Sequence, residues 1–212
     1  MIKAVLFDLW NTLVFDDSKY HPLENFANKI GKTMTDRTYL KLYEKIFMTS
    51  QIASFEEPTR QILRELNITH DEKLVKELLD ILNAWEAVTL YPETITVLKA
   101  LKLKKKIGLI SNTENIAWDL LKRDFNMQIF FDAIVLSCDM ASAKPDPIMF
   151  ETALKRLGVT KDEAIMVGDS LKDDVQAAES FGIKGVLVDR KNKYPEYPNR
   201  VTSLVDIKKF LD

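Results

Sequence analysis

The chain has 212 residues, 46% of them hydrophobic, and a formal net charge of −2, so it can bury one large core or a core carrying a smaller insert. That balance gives no electrostatic reason for nucleic acid or an anionic membrane as a principal partner, and no apolar run approaches the ~18 residues of a membrane span. One cysteine (Cys138) excludes an internal disulfide, two distant histidines (His21 and His70) exclude a zinc cluster, and Asp8 and Asn11 interrupt any signal-peptide pattern, so a reducing cytoplasm is expected.

In chain order, IKAVLF (2–7) reads as a buried strand. From about 20 to 88 the rhythm is helical: PLENFANKIG, TYLKLYEKIFMTS, TRQILRELN and DEKLVKELLDILNAWEAV are amphipathic, and none of them is strand-like. After Leu90, Tyr91 and Pro92, strands KIGLI (106–110), AIVLS (133–137), AIMVG (164–168) and KGVLV (184–188) alternate with the helical stretches PETITVLKALKL, ENIAWDLLKRDF, PIMFETALKRLG and LKDDVQAAESFG. Gly158 and Gly182 close the last two helices, and LKLKKK (101–106) reads as a solvated helix end. Strand alternating with helix predicts an α/β fold: a doubly wound, Rossmann-like core of three layers with a mainly parallel sheet. The expected division is a core of 1–14 and 90–212 and an all-helical cap of 15–89, joined by two connections that suit a rocking lid.

Polar residues worth naming follow the predicted strands: Asp8 after the first, Ser111 and Asn112 after the second, Asp169 and Ser170 after the fourth. In a parallel sheet these ends share one edge, and Lys144 in the loop after the third strand can reach it. Two or three carboxylates there offer hard oxygen ligands to a cation, while Thr12, Ser111, Lys144 and backbone amides offer donors to phosphate. A cation and Lys144 would favour ionised Asp8, available as a nucleophile.

FDLWNTL, LISNT, AKPDPIMF and MVGDSLKDDVQAA stand in the order of the four motifs of the haloacid dehalogenase superfamily, which the chain resembles over its whole core. The resemblance implies Asp8 as nucleophile and Thr12, Ser111 and Lys144 orienting the transferred group. It also implies Mg2+ held by Asp8, the Trp10 carbonyl and Asp169, a helical cap that selects a small phosphorylated substrate, and an aspartyl-phosphate intermediate. Asp173 or Asp174 would support the metal, and alignment of VQAA favours Asp174. Asn112 binds phosphate through its amide or starts a turn.

Phosphatases of the family carry a second Asp where Trp10 stands, a proton donor and acceptor whose loss removes roughly 10²- to 10⁴-fold in rate. Acyl or aryl phosphates, with better leaving groups, should suffer least. Trp10 is expected to bridge core and cap or to wall the substrate pocket. Asp16 and Asp17 are read as solvated acids, with one of them as a lesser candidate for the missing acid. Trp85 and Trp118 are expected to pack, Cys138 to be buried, and His21 and His70 to lie on surfaces.

Three other readings stand beside phosphatase. A 2-haloacid dehalogenase would need a cap arginine (Arg37, Arg60 or Arg64) and usually a tyrosine where Phe150 stands. A phosphonate hydrolase would need a Schiff-base lysine among Lys29, Lys32, Lys41 and Lys45. The last is a low-turnover phosphate-binding or regulatory protein.

Overall fold

The computed structural model describes residues 1–16, 22–84 and 88–211. Asp17, His21 and Trp85, each given an expectation above, lie outside the described residues. The first strand, β1 (Ala4–Phe7), leads into a short strand, β2 (Val14–Asp16), and then into helices α1 (Pro22–Lys29), α2 (Arg37–Tyr43), α3 (Glu56–Glu65) and α4 (Glu72–Asn83). A strand the sequence did not announce, β3 (Val88–Leu90), pairs antiparallel with β2, Phe15 opposite Thr89, so a two-stranded ribbon stands at the foot of the helical segment. Three residues per strand are too few to show a period, which is why sequence pattern missed it.

The remainder alternates: α5 (Thr94–Lys102), β4 (Lys106–Ser111), α6 (Asn115–Phe125), β5 (Ala133–Leu136), α7 (Ser137–Met140), α8 (Pro147–Leu157), β6 (Ala164–Gly168), α9 (Ala177–Phe181), β7 (Lys184–Val188) and β8 (Arg200–Val201). The sheet runs β5-β4-β1-β6-β7-β8, and every pair in it is parallel. The five expected strands are all present; β8 is added beside β7.

Alternation along β1 builds two cores. Val5 and Phe7 join a cluster with Leu98, Trp118 and Leu121 on one face, while Ala4 and Leu6 join Met149, Phe150 and Leu157 on the other. With period-two side chains and helices on both faces, the result is a three-layer Rossmann-like sandwich. The helical segment has its own core around Phe26, Tyr39, Tyr43, Phe47 and Leu78, in which Tyr43 and Phe47 stack at 4.4 Å. It touches the sheet domain through polar clasps: the Asn115 side chain both donates to and accepts from the Ile52 backbone at 2.9 Å, and the Ser137 hydroxyl donates to the Met48 carbonyl at 2.6 Å. Among the described residues, no helix is long and apolar enough to cross a membrane.

Candidate active site

Register sets Phe7 of β1 opposite Leu109 of β4 and Val167 of β6, so the chains leaving these strands emerge side by side. Asp8 continues β1, its N–H donating to the Val167 carbonyl at 2.9 Å. The chain then folds back tightly: the Leu13 and Val14 amides both donate to the Leu9 carbonyl, with Asn11 at φ 57°, a left-handed conformation asparagine tolerates. This turn brings the Thr12 hydroxyl to donate to Asp8 Oδ2 at 3.0 Å. Arg190, beyond β7, braces the same turn by donating to the Thr12 carbonyl at 3.0 Å while paired with Glu93 at 2.7 Å.

Lys144 joins two carboxylates. Its Nζ donates to Asp8 Oδ1 and to Asp174 Oδ1, each at 2.6 Å, with all three residues at most 5% exposed. The Asn112 side chain donates to the Lys144 carbonyl at 2.9 Å and accepts from its N–H at 2.8 Å, clamping the lysine loop. Asp174 can approach because β6 ends in Gly168: a Cβ there would overlap its carboxyl group. The Ser170 N–H donates to the other Asp174 oxygen at 3.0 Å, and the Ser170 hydroxyl accepts the Asp173 N–H, starting a π-helical turn over Leu171–Gln176.

Asp8, Asp169 and Asp174 each offer an oxygen within 4.8 Å of the others. Three hard oxygens so close suit a divalent cation. Asp173 lies apart, accepting from the Ser170 hydroxyl at 3.3 Å and facing Lys172 at 3.8 Å, since consecutive helical residues diverge by about 100°. Burial and repulsion from Asp8 and Asp174 push Asp169 up to about 7, and burial pushes Asp174 to about 7 against the pull of Lys144. Burial alone would lower Lys144, but Asp174 and Asp8 outweigh it and raise it above its ordinary value. The Ser111 hydroxyl, at the end of β4, is buried without a hydrogen-bond partner among the described residues, a donor available to a phosphate oxygen. A cleft of about 490 Å³ opens beside Asp169, bordered by Phe15, Asp16, Tyr91 and Arg190.

Trp10 is half-buried against the sheet's own apolar cluster, and its indole N–H donates to Thr113 Oγ1 at 3.1 Å. Both of these contacts are to the sheet domain. Asp16 is a half-buried residue of β2 rather than a solvated acid. Trp118 and Cys138 are buried as expected, burial pushing the Cys138 thiol up to about 12. His70 is half-buried with a ring nitrogen 3.0 Å from the Ile68 carbonyl. Arg190, Glu93 and Glu114 were missed by sequence reading: the first two follow no motif, and Glu114 reads as an ordinary acid at a helix start.

The haloacid dehalogenase-like hydrolase family model matches residues 2–182. A glyceraldehyde 3-phosphate phosphatase from Methanopyrus kandleri is 30% identical, over 94% of this chain and 89% of its own. An (S)-2-haloacid dehalogenase from Pseudomonas fluorescens is 26% identical over 90% and 86%. An uncharacterised Saccharomyces cerevisiae protein is 31% identical over 62% of this chain and 49% of its own length, so the match spans about half of that relative. Among solved structures, a phosphatase of this superfamily from Thermococcus onnurineus superposes with a TM-score of 0.65 at 25% identity, covering 99% and 98%. A parallel Rossmann-like sheet with buried aspartates and a lysine gathered at one edge marks a doubly wound α/β protein with its site beyond the strand ends. The chain belongs to the haloacid dehalogenase-like hydrolases.

Proposed function

We propose that the chain is a magnesium-dependent phosphatase of a small phosphorylated metabolite, working through an aspartyl-phosphate. The observation that carries this reading is Lys144 bridging Asp8 and Asp174, with Asp169 beside them. An Asp8 oxygen attacks phosphorus while the bond to the leaving oxygen breaks; water then attacks the acyl phosphate, releasing phosphate and restoring Asp8. Lys144 neutralises charge on the incoming anion, and the Thr12 and Ser111 hydroxyls orient it. The residues that would hold the cation are Asp8, Asp169 and Asp174, with Asp174 preferred to Asp173 by its place in the cluster, and the Trp10 carbonyl joins them by the family resemblance. When bound, Mg2+ supplies positive charge to the phosphoryl oxygens. Asn112 is assigned a positioning role through its clamp on Lys144, in addition to any amide contact with phosphate.

Residues 15–89 are assigned as the cap, supported by their separate apolar core, and the cytoplasm as location, supported by the lone buried cysteine. Small hydroxylated phosphates head the substrate panel because relatives are named for glyceraldehyde 3-phosphate. Trp10 cannot protonate a leaving oxygen, so acyl phosphates should exceed alkyl phosphates as substrates.

Dehalogenation finds less support. Phe150 is buried in the core, Arg37 is exposed, and Arg60 and Arg64 are engaged in surface pairs with Glu56, Glu72 and Glu57. The cap lysines also lack the desolvated setting of a Schiff base: Lys29 pairs with Glu77, Lys32 with Asp36, and Lys41 and Lys45 are exposed. Acetyl phosphate hydrolysis that requires magnesium and disappears in Asp8→Asn is the expected result. Metal-free chloride release from 2-chloropropionate would overturn the proposal, and phosphate binding without turnover would mark a binding protein instead.

A further inference from the structure

Glu114 and Tyr43 face the junction of sheet domain and helical segment. Glu114 stands where α6 begins, 1% exposed, with Oε1 buried and without a hydrogen-bond partner among the described residues; Tyr43, from α2, is 3% exposed with a hydroxyl in the same condition. The two are near enough for Glu114 charge to add to the effect of burial on the Tyr43 hydroxyl, which is raised well above its usual range. The residues flanking Glu114 in the chain are satisfied. Thr113 accepts from the Trp10 indole at 3.1 Å and donates its N–H to Ser137 at 2.9 Å, and Asn115 is paired with Ile52. Two orphaned polar groups amid satisfied ones are costly to the fold, since each forfeits its water without replacement, so their retention asks for a ligand.

Position favours the substrate. Glu114 is three residues past Ser111, hence at most about 11 Å away along the backbone, a span that the two side chains and a small organophosphate cover together. Trp10 and Thr113 link this corner to the Asp8 turn. Burial pushes the Glu114 carboxyl up to about 7, so it is partly a neutral acid near neutrality, a donor as well as an acceptor. Such a group with a phenol suits uncharged oxygen and disfavours a second anion.

We propose that Glu114 and Tyr43 form a specificity subsite, one residue from each side of the junction, that hydrogen-bonds a hydroxyl or carbonyl oxygen on the non-phosphoryl part of the substrate. The proposal rests on the phosphatase reading for which molecule is bound. Because both groups are buried, the helical segment lifts to admit the ligand and encloses it on return.

The test compares glycerol 3-phosphate with propyl phosphate, which has the same skeleton and no hydroxyls. Kd for each is measured by calorimetry with magnesium in the Asp8→Asn protein, alone and combined with Tyr43→Phe, Glu114→Gln or Glu114→Leu. The Asp8→Asn protein is expected to prefer glycerol 3-phosphate by about tenfold or more, and Tyr43→Phe and Glu114→Leu to erase most of that preference. Glu114→Gln keeps shape and hydrogen bonding and should retain part of it. Tyr43→Phe removes a single oxygen and leaves the ring to stack on Phe47, which guards against a fold defect. No preference in Asp8→Asn, a preference unmoved by the variants, or no binding of either compound overturns the subsite. Acetyl phosphate turnover by the unaltered protein decides the phosphatase reading separately.

Discussion

Lys144 and Glu114 are buried to similar depth, 4% and 1% exposed, yet the chain treats their charges in opposite ways. Lys144 meets two carboxylates at 2.6 Å; among the described residues Glu114 forms no ion pair, and one of its oxygens has no hydrogen-bond partner. The first cluster holds itself together within the sheet domain. The second, split between the sheet domain and the helical segment, is completed only by something from outside. Burial of a polar group is thus compatible with two duties, self-assembly and recognition, and partner geometry tells them apart.

Several substitutions would break or sharpen this contrast. Asp8→Asn should have the largest effect, lowering acetyl phosphate turnover by at least about 10³-fold with secondary structure kept, as read by phosphate release and circular dichroism. Lys144→Ala should follow, costing about 3–5 kcal/mol in urea unfolding, because Asp8 and Asp174 would keep buried charge without a partner. Glu114→Leu should be neutral or stabilising in the same assay, since it removes an unsatisfied group. A loss of several kcal/mol there would show that Glu114 is structural and erase the distinction. Trp10→Asp should raise alkyl phosphate turnover by about tenfold or more relative to acetyl phosphate; an equal change on both would place the proton donor elsewhere.

The smallest effect concerns pH. Asp169 and Asp174 titrate near 7 in the folded, metal-free protein against about 4 when unfolded. An acid with a raised folded value stabilises fully below its unfolded value, and that stability is lost as pH rises through the folded one. Without metal, Tm should therefore fall between pH 4 and 7, and excess magnesium should flatten the decline. A Tm indifferent to magnesium at pH 8 would disprove metal binding by the three carboxylates.

The paired cluster was legible in sequence because Asp8 directly follows one strand with clear apolar patterning while Lys144 and Asp174 lie in the segments that follow two others, and parallel pairing brings those segments to one edge. Asp173 and Asp174 were not separable that way: adjacent acids share a sequence context, the VQAA that follows only favoured Asp174, and the steric opening at Gly168 admits its carboxyl group. The role of the Asn112 side chain depends on a contact with Lys144 32 positions away, and that of Trp10 on one with Thr113 103 positions away. Neither leaves a local signature. The β2–β3 ribbon escaped because its strands are shorter than any period, and the Glu114–Tyr43 pair because its meaning lies in missing partners.

Arg190 gives the molecule an order of events. The arginine that grips the Thr12 carbonyl lies 178 residues after it, and outside the 2–182 span that defines the family. During synthesis from the N-terminus, a nascent chain that has reached Gly182 already carries Asp8, Thr12, Ser111, Lys144, Asp169 and Asp174. It still lacks the brace on the turn between the first two. The chemistry is encoded before Gly182, and the brace on its geometry arrives only with Arg190.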